Sequence, residues 1–221
     1  MKVEINVPEN LEQITLEQYQ RFMNIYDRKD IDEYFLMQKM IQIFCNVELA
    51  KVIFFKASDI KEIIASLHEI LNRAPKFTKR FVFEGTEYGF IPNLDEITMG
   101  EYIDLDENLQ EWENLHKAMA VLYRPVQMSS GDRYTIEKYK GIENESTMKR
   151  IPAEYALGAS LFFWNLRNEL SETILKYLSS QMNESLTEQQ KEVLLENGVG
   201  FNHYMLSLTE MLNELKISQN Y

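Results

Sequence analysis

The chain has 221 residues, 45% of them hydrophobic and 12% aromatic, with a formal net charge of −12. That length and apolar content support a core without metals or disulfides, in one large domain or two small ones. The charge opposes nucleic-acid phosphates, and no cluster of Lys or Arg offsets it.

Val3 to Val7 alternates and ends at Pro8, which suits a first or edge strand. A helix is expected from Leu16 to about Tyr26. Asp30, with Glu33 in the box position, is read as the cap of a second helix whose apolar face uses Tyr34, Met37, Ile41 and Phe44. Cys45 is the single cysteine, so no intramolecular disulfide can form. It lies in the apolar run Met40 to Val47 and is expected to be buried. After a short helical segment near Glu48 to Phe54, Ser58 or Asp59 opens a helix that buries Ile60, Ile63, Ile64, Leu67, Ile70 and Leu71 and is stopped by Pro75.

Phe81 to Ile91 reads as a β-hairpin around Glu84-Gly85-Thr86-Glu87, with Gly85 supplying a positive φ. An isolated hairpin is marginal, so Val3 to Val7 is expected to join it as a third strand. A helix follows from Met99 to about Leu109. The next, Trp112 to Tyr123, is apolar almost all round and is expected to be central. Arg124-Pro125 ends it, with Arg124 placed to bond the last carbonyls. Gln127 to Asp132 reads as a polar loop and Tyr134 to Tyr139 as a brief strand. Pro152 suits the first turn of a long helix reaching about Ser180, and its small-residue start, Ala156 to Ser160, allows close contact. Two more helices are expected, from Ser185 to Gly198 and from Asn202 to Leu215. The longest apolar-leaning stretch, Tyr155 to Leu166, is too short to cross a bilayer. The first residues lack a signal-peptide core, so a reducing, cytoplasmic setting is expected.

One phrase occurs twice. Pro8-Glu-Asn-Leu-Glu-Gln-Ile-Thr-Leu-Glu-Gln-Tyr19 is echoed by Pro92-Asn-Leu-Asp-Glu-Ile-Thr-Met-Gly-Glu-Tyr102. Thr15 and Thr98 have the chemistry of N-caps, with Gln18 and Glu101 in the capping-box position. Ile14 with Tyr19, and Ile97 with Tyr102, have hydrophobic-staple spacing. With the strands placed as above, the two phrases should lie side by side.

No reactive cluster stands out. His68, His116 and His203 fall in separate helices. Glu113-Asn-Leu-His116 has the Glu-x-x-His spacing of carboxylate-bridged di-iron bundles, but such sites need a second copy and the chain has none. There is no phosphate loop, zinc-protease motif or nucleophile elbow. No metal, cofactor or catalytic residue is therefore assigned, and an enzyme is not expected. From Glu84 to Glu113 there are ten acids and no Lys or Arg. A solvated face is the plain interpretation. The sharper one is a docking face for a basic partner, using Glu101, Asp104, Asp106, Glu107 and Glu111. A second candidate surface is the helical stripe of Phe201, Tyr204, Met205 and Leu208, for which a core role is the simpler alternative.

Gly89-Phe-Ile-Pro92, Thr98-Met-Gly-Glu-Tyr-Ile-Asp-Leu105, His116-Lys-Ala-Met-Ala-Val-Leu-Tyr-Arg-Pro125, Tyr134-Thr-Ile-Glu-Lys-Tyr-Lys-Gly141 and Leu161-Phe-Phe-Trp164 together resemble a family of small proteins of tailed bacteriophages, among them phages of Bacteroidetes and crAss-like phages. The likeness covers roughly residues 1–165. It implies a virion component or assembly factor, with capsid, portal or tail proteins as partners, no direct nucleic-acid or membrane binding, and a location in the virion or, during assembly, the host cytoplasm. The expected role is an accessory protein near the capsid or portal vertex. The alternatives are a tail-assembly chaperone and an acidic module that sequesters a host protein. The expected fold is α+β, predominantly helical: a mixed domain over 1–141, its helices around a small antiparallel sheet, and a helical region over 142–221 packed on it.

Overall fold

In the structure, a computed structural model that describes residues 5–28, 31–109, 111–163 and 165, the fold is α+β. The elements in order are α1 (Leu16–Tyr26), α2 (Glu33–Phe44), α3 (Leu49–Val52), α4 (Ala57–Leu71), β1 (Arg80–Phe83), β2 (Thr86–Phe90), α5 (Met99–Asn108), α6 (Leu115–Leu122), β3 (Tyr123–Ser130), β4 (Arg133–Ile136) and α7 (Glu145–Arg150). Single 3-10 turns lie at Leu11–Gln13, Leu94–Glu96 and Trp112–Asn114. The chain divides into two compact units, Met1–Gly158 and Ala159–Tyr221. In the first unit α7 lies against α1 and α6. That unit ends in helical residues 153–158. In the second unit residues 159–163 and 165 are helical. The helices expected from Ser185 to Gly198 and from Asn202 to Leu215 lie outside the described residues.

Both repeated phrases fold as their residues dictate. Each has a 3-10 turn, an extended threonine and a helix, with Thr15 at φ −76°, ψ 154° and Thr98 at φ −72°, ψ 158°. Each hydroxyl accepts from the amide three residues on, and that residue's side chain accepts from the threonine amide, so both capping boxes are closed. Other helix starts differ from expectation. Asp32 caps α2, accepting from the Phe35 amide at 3.1 Å, and Asp30 lies outside the described residues. Neither Ser58 nor Asp59 caps α4, which begins after Lys56 without a side-chain cap. Of the residues expected on the apolar face of α2, Ile41 and Phe44 are buried and Met37 is half-buried, but Tyr34 is 75% exposed; Met40 and Ile43 are buried as well.

The sheet is antiparallel in the order β1-β2-β3-β4. Glu84 and Gly85 both take positive φ, 48° and 80°, as a two-residue type I′ turn demands. Arg150 of α7 holds the Glu84 carboxylate with two hydrogen bonds, of 2.9 and 2.7 Å. The expected third strand is not formed: described residues 5–7 are not in the sheet. Its place on β2 is taken by Tyr123 to Pro125. The first phrase pairs elsewhere, with the Leu16 amide donating to Ile151 O at 2.8 Å and the Ala153 amide to Ile14 O at 2.7 Å. The two phrases therefore do not share a sheet.

Gln127 to Ser130 also departs from its loop reading, because it continues β3 up to the Gly131-Asp132 turn. Strand β3 pairs with β2 through Tyr123 to Pro125 and with β4 from Val126 onward, with a bulge between Val126 and Met128. Tyr134 of β4 reaches across β3 to β2. Its ring fills the space over Gly89, where a Cβ would stand 2.5 Å from a ring carbon, and its hydroxyl donates to Phe90 O at 2.7 Å.

Helices α1, α6 and α7 and the sheet's aromatics enclose the core. Tyr19, Leu16, Leu115, Met119, Leu122, Tyr123 and Met148 are fully buried, and Phe81 stacks on Tyr155 at 4.2 Å. Cys45, at the end of α2, is also buried, and burial pushes its thiol up to about 11. Among the described residues no helix is long and apolar enough to cross a membrane.

Met119 has no exposed surface, so Met119→Asp should abolish cooperative thermal unfolding, because it would bury a carboxylate out of reach of water. Gly158→Ala tests the close contact at the small-residue helix. Ala gains about 1 kcal/mol of helix propensity, but its Cβ would lie 2.2 Å from the Lys76 carbonyl oxygen, a backbone atom. The clash wins, and a denaturant titration should show a net loss of about 1–3 kcal/mol.

Candidate functional site

The polar chemistry of this chain gathers at the start of α5. Glu101 Oε2 accepts from the Thr98 amide at 2.8 Å and from the Thr98 hydroxyl at 2.6 Å. Its other oxygen accepts from Arg124 Nη2. Arg124 therefore does not cap α6, as its sequence position suggested. It follows Tyr123 into β3, where the residue before a proline is biased to extended backbone. There it ties the sheet to α5. The Arg124 guanidinium sits 5.7 Å from the centre of the Tyr139 ring. That ring packs on Gly100, where a Cβ would stand 3.1 Å away, and its hydroxyl donates to Asp104 Oδ2.

Burial by itself would raise the Glu101 carboxyl. The Thr98 hydrogen bonds and the Arg124 charge outweigh it and hold the group below the usual carboxylate range. The Tyr139 hydroxyl is pushed upward, by desolvation and then by the Asp104 carboxylate that it bonds. Arg124 Nε and Nη1 are buried without a hydrogen-bond partner, as is Trp112 Nε1.

The docking residues proposed from sequence separate into two kinds. Glu101 is 4% exposed and committed to the cap and to Arg124. Asp104 is half-buried and takes the Tyr139 hydroxyl. Asp106 is half-buried, Glu107 and Glu111 are exposed, and none of the three has a cation partner among the described residues. Phe201, Tyr204, Met205 and Leu208 lie outside the described residues. Sequence reasoning missed the outer side of α5, where Met99, Tyr102 and Ile103 are exposed at 73%, 44% and 45%. Their i, i+3, i+4 spacing was the available signal.

The Glu113 to His116 spacing does not make a metal site. Glu113 is exposed at the 3-10 turn, whereas His116 is buried and its Nδ1 lies 3.1 Å from Gln20 Nε2. Burial, with Lys149 nearby, keeps the imidazole below its ordinary range. His68 is exposed on α4, and His203 lies outside the described residues. Among the described residues no group of three or more His, Cys, Asp or Glu side chains is placed to hold a metal ion. The arrangement at α5 fastens a helix to a sheet and leaves Asp106, Glu107 and Glu111 without a cation partner among the described residues. Comparison with family models, curated protein sequences and solved structures gives no match.

Glu101 and Arg124 form a nearly buried pair, with side chains 6% and 12% exposed. Glu101→Ala strands the guanidinium and should cost about 3–5 kcal/mol. Arg124→Met should also destabilise, and the double variant should lose less than the sum of the two by about 0.5–3 kcal/mol in a chemical-denaturation cycle. The pair also sets an acid limb. Because the folded carboxyl lies below its unfolded value of about 4.3, its contribution is complete above that pH and drains as pH falls through the depressed value. The double variant should show a shallower stability loss between about pH 5 and pH 2.

Proposed function

We infer that this chain works by contact, as a non-enzymatic structural or assembly protein of a tailed bacteriophage, an accessory component bound near the capsid or portal vertex. The observation that carries the contact reading is the division of labour among the acids from Glu84 to Glu113. Glu84, Glu87 and Glu101 pair with Arg150, Arg80 and Arg124, and Asp104 takes the Tyr139 hydroxyl. Glu96, Asp106, Glu107, Glu111 and Glu113 have no cation partner among the described residues. Carboxylates held on a well-packed frame without a cation partner among the described residues suit recognition of a basic surface. The phage assignment draws on the resemblance carried by residues 1–165, above all the run from Gly89 to Gly141.

Mass spectrometry of purified particles tests it. The protein should co-purify with the virion in a fixed copy number. Presence in infected cells with absence from particles would favour a tail-assembly chaperone, and recovery bound to a host protein alone would favour a sequestering module.

A further inference from the structure

The repeat supplies an internal control for the exposed side of α5. Aligning Thr15 with Thr98 places Met99, Tyr102 and Ile103 opposite Leu16, Tyr19 and Gln20. The latter three are 0%, 2% and 6% exposed, against 73%, 44% and 45% for the α5 residues. A different seating of the helix does not explain the contrast. The inner side is buried in both copies, by Gln18 and Phe22 in α1 and by Glu101 and Leu105 in α5. The difference is a cover. In α1 the Trp112 ring lies 5.5 Å from the Tyr19 ring. Gln20 donates to the Trp112 carbonyl and approaches His116, and Ile151 accepts from the Leu16 amide. Among the described residues no element covers the corresponding face of α5, which leaves two large apolar side chains and a tyrosine in water.

The surroundings of that face say what would cover it. Asp106 and Glu107 lie one turn beyond Tyr102 and Ile103 on the same side of the helix. Glu111 and Glu113 follow, and no Lys or Arg occurs from Glu84 to Glu113. The guanidinium that reaches α5, Arg124, is already held by Glu101. A second copy of this chain would set these carboxylates against each other.

We propose that the outer face of α5 docks an amphipathic helix of another protein, one that inserts an aromatic or aliphatic anchor between Met99, Tyr102 and Ile103 and sets Lys or Arg against Asp106 and Glu107. In the first copy, Trp112 performs the equivalent anchoring within the chain. This rests on the contact reading above and names its surface and the chemistry of its partner.

The test uses the full chain and a synthetic 18-residue helical peptide with Leu and Trp on one side and Lys on the other, followed by fluorescence anisotropy. A counterpart with Glu in place of Lys is the control. The Lys peptide should bind, and its affinity should fall as salt rises. Tyr102→Ser/Ile103→Ser should weaken binding at least about tenfold while unfolding remains cooperative. Met99→Lys, a single change at a well-exposed position, should do the same should the double variant fold poorly. Equal binding by wild type and variants, equal binding of both peptides, or no binding overturns the proposal. So does a wild-type dimer in sedimentation that the variants lose, which would make a second copy the occupant. Particle mass spectrometry is independent of this assay, so the contact reading and the α5 surface can fail separately.

Discussion

A helix that begins inside a protein must find partners for its first amides, and this chain meets that demand twice with one device. A threonine and the residue three positions on close a reciprocal pair of hydrogen bonds. The third residue then has hydrogen-bonding capacity left, and its chemistry decides where the helix is fastened. Gln18 has an amide to donate, and it reaches the Ile43 carbonyl at 2.7 Å, binding α1 to the end of α2. Glu101 has only acceptors, so its second oxygen requires a donor, and Arg124 brings β3 to α5. One atom of difference between amide and carboxylate thus sends two equivalent helices to different tertiary partners.

Much of this was legible from local chemistry. The caps Thr15 and Thr98, the limits of α1, the turn at Glu84-Gly85 and the central place of Met119 all follow from short-range rules, and those rules held. The misses share a cause. Val3 to Val7 had the right alternation for a strand, but the edge of β2 was filled by the segment that leaves α6, and alternation says nothing about which of two extended segments pairs. Arg124 looked like a C-cap because its partner is 23 residues away along the chain. Gly89 was visible as a glycine within a strand, yet the ring that needs its missing Cβ belongs to Tyr134, two strands away.

The acid-rich stretch shows why composition alone misplaces a site. Glu101 and Asp104 count equally with Glu107 and Glu111 in any charge sum. In the fold the first two are structural, one holding a cap and an arginine, the other a tyrosine hydroxyl. Only after those are set aside does a smaller set of carboxylates without a cation partner among the described residues emerge beside the apolar side chains of α5. The repeat sharpens this further, since two helices launched by one phrase differ in what lies over them.

Cys45 has a practical corollary. It is the chain's single thiol, closed in at the end of α2, and its raised value near 11 leaves almost no thiolate at neutral pH. An alkylating reagent can reach it only when the α2 terminus opens. The Ile43 carbonyl that receives Gln18 lies two residues away, so loosening of that fastening would be registered as labelling. The molecule carries its own chemical clock for local breathing at the joint between its first two helices.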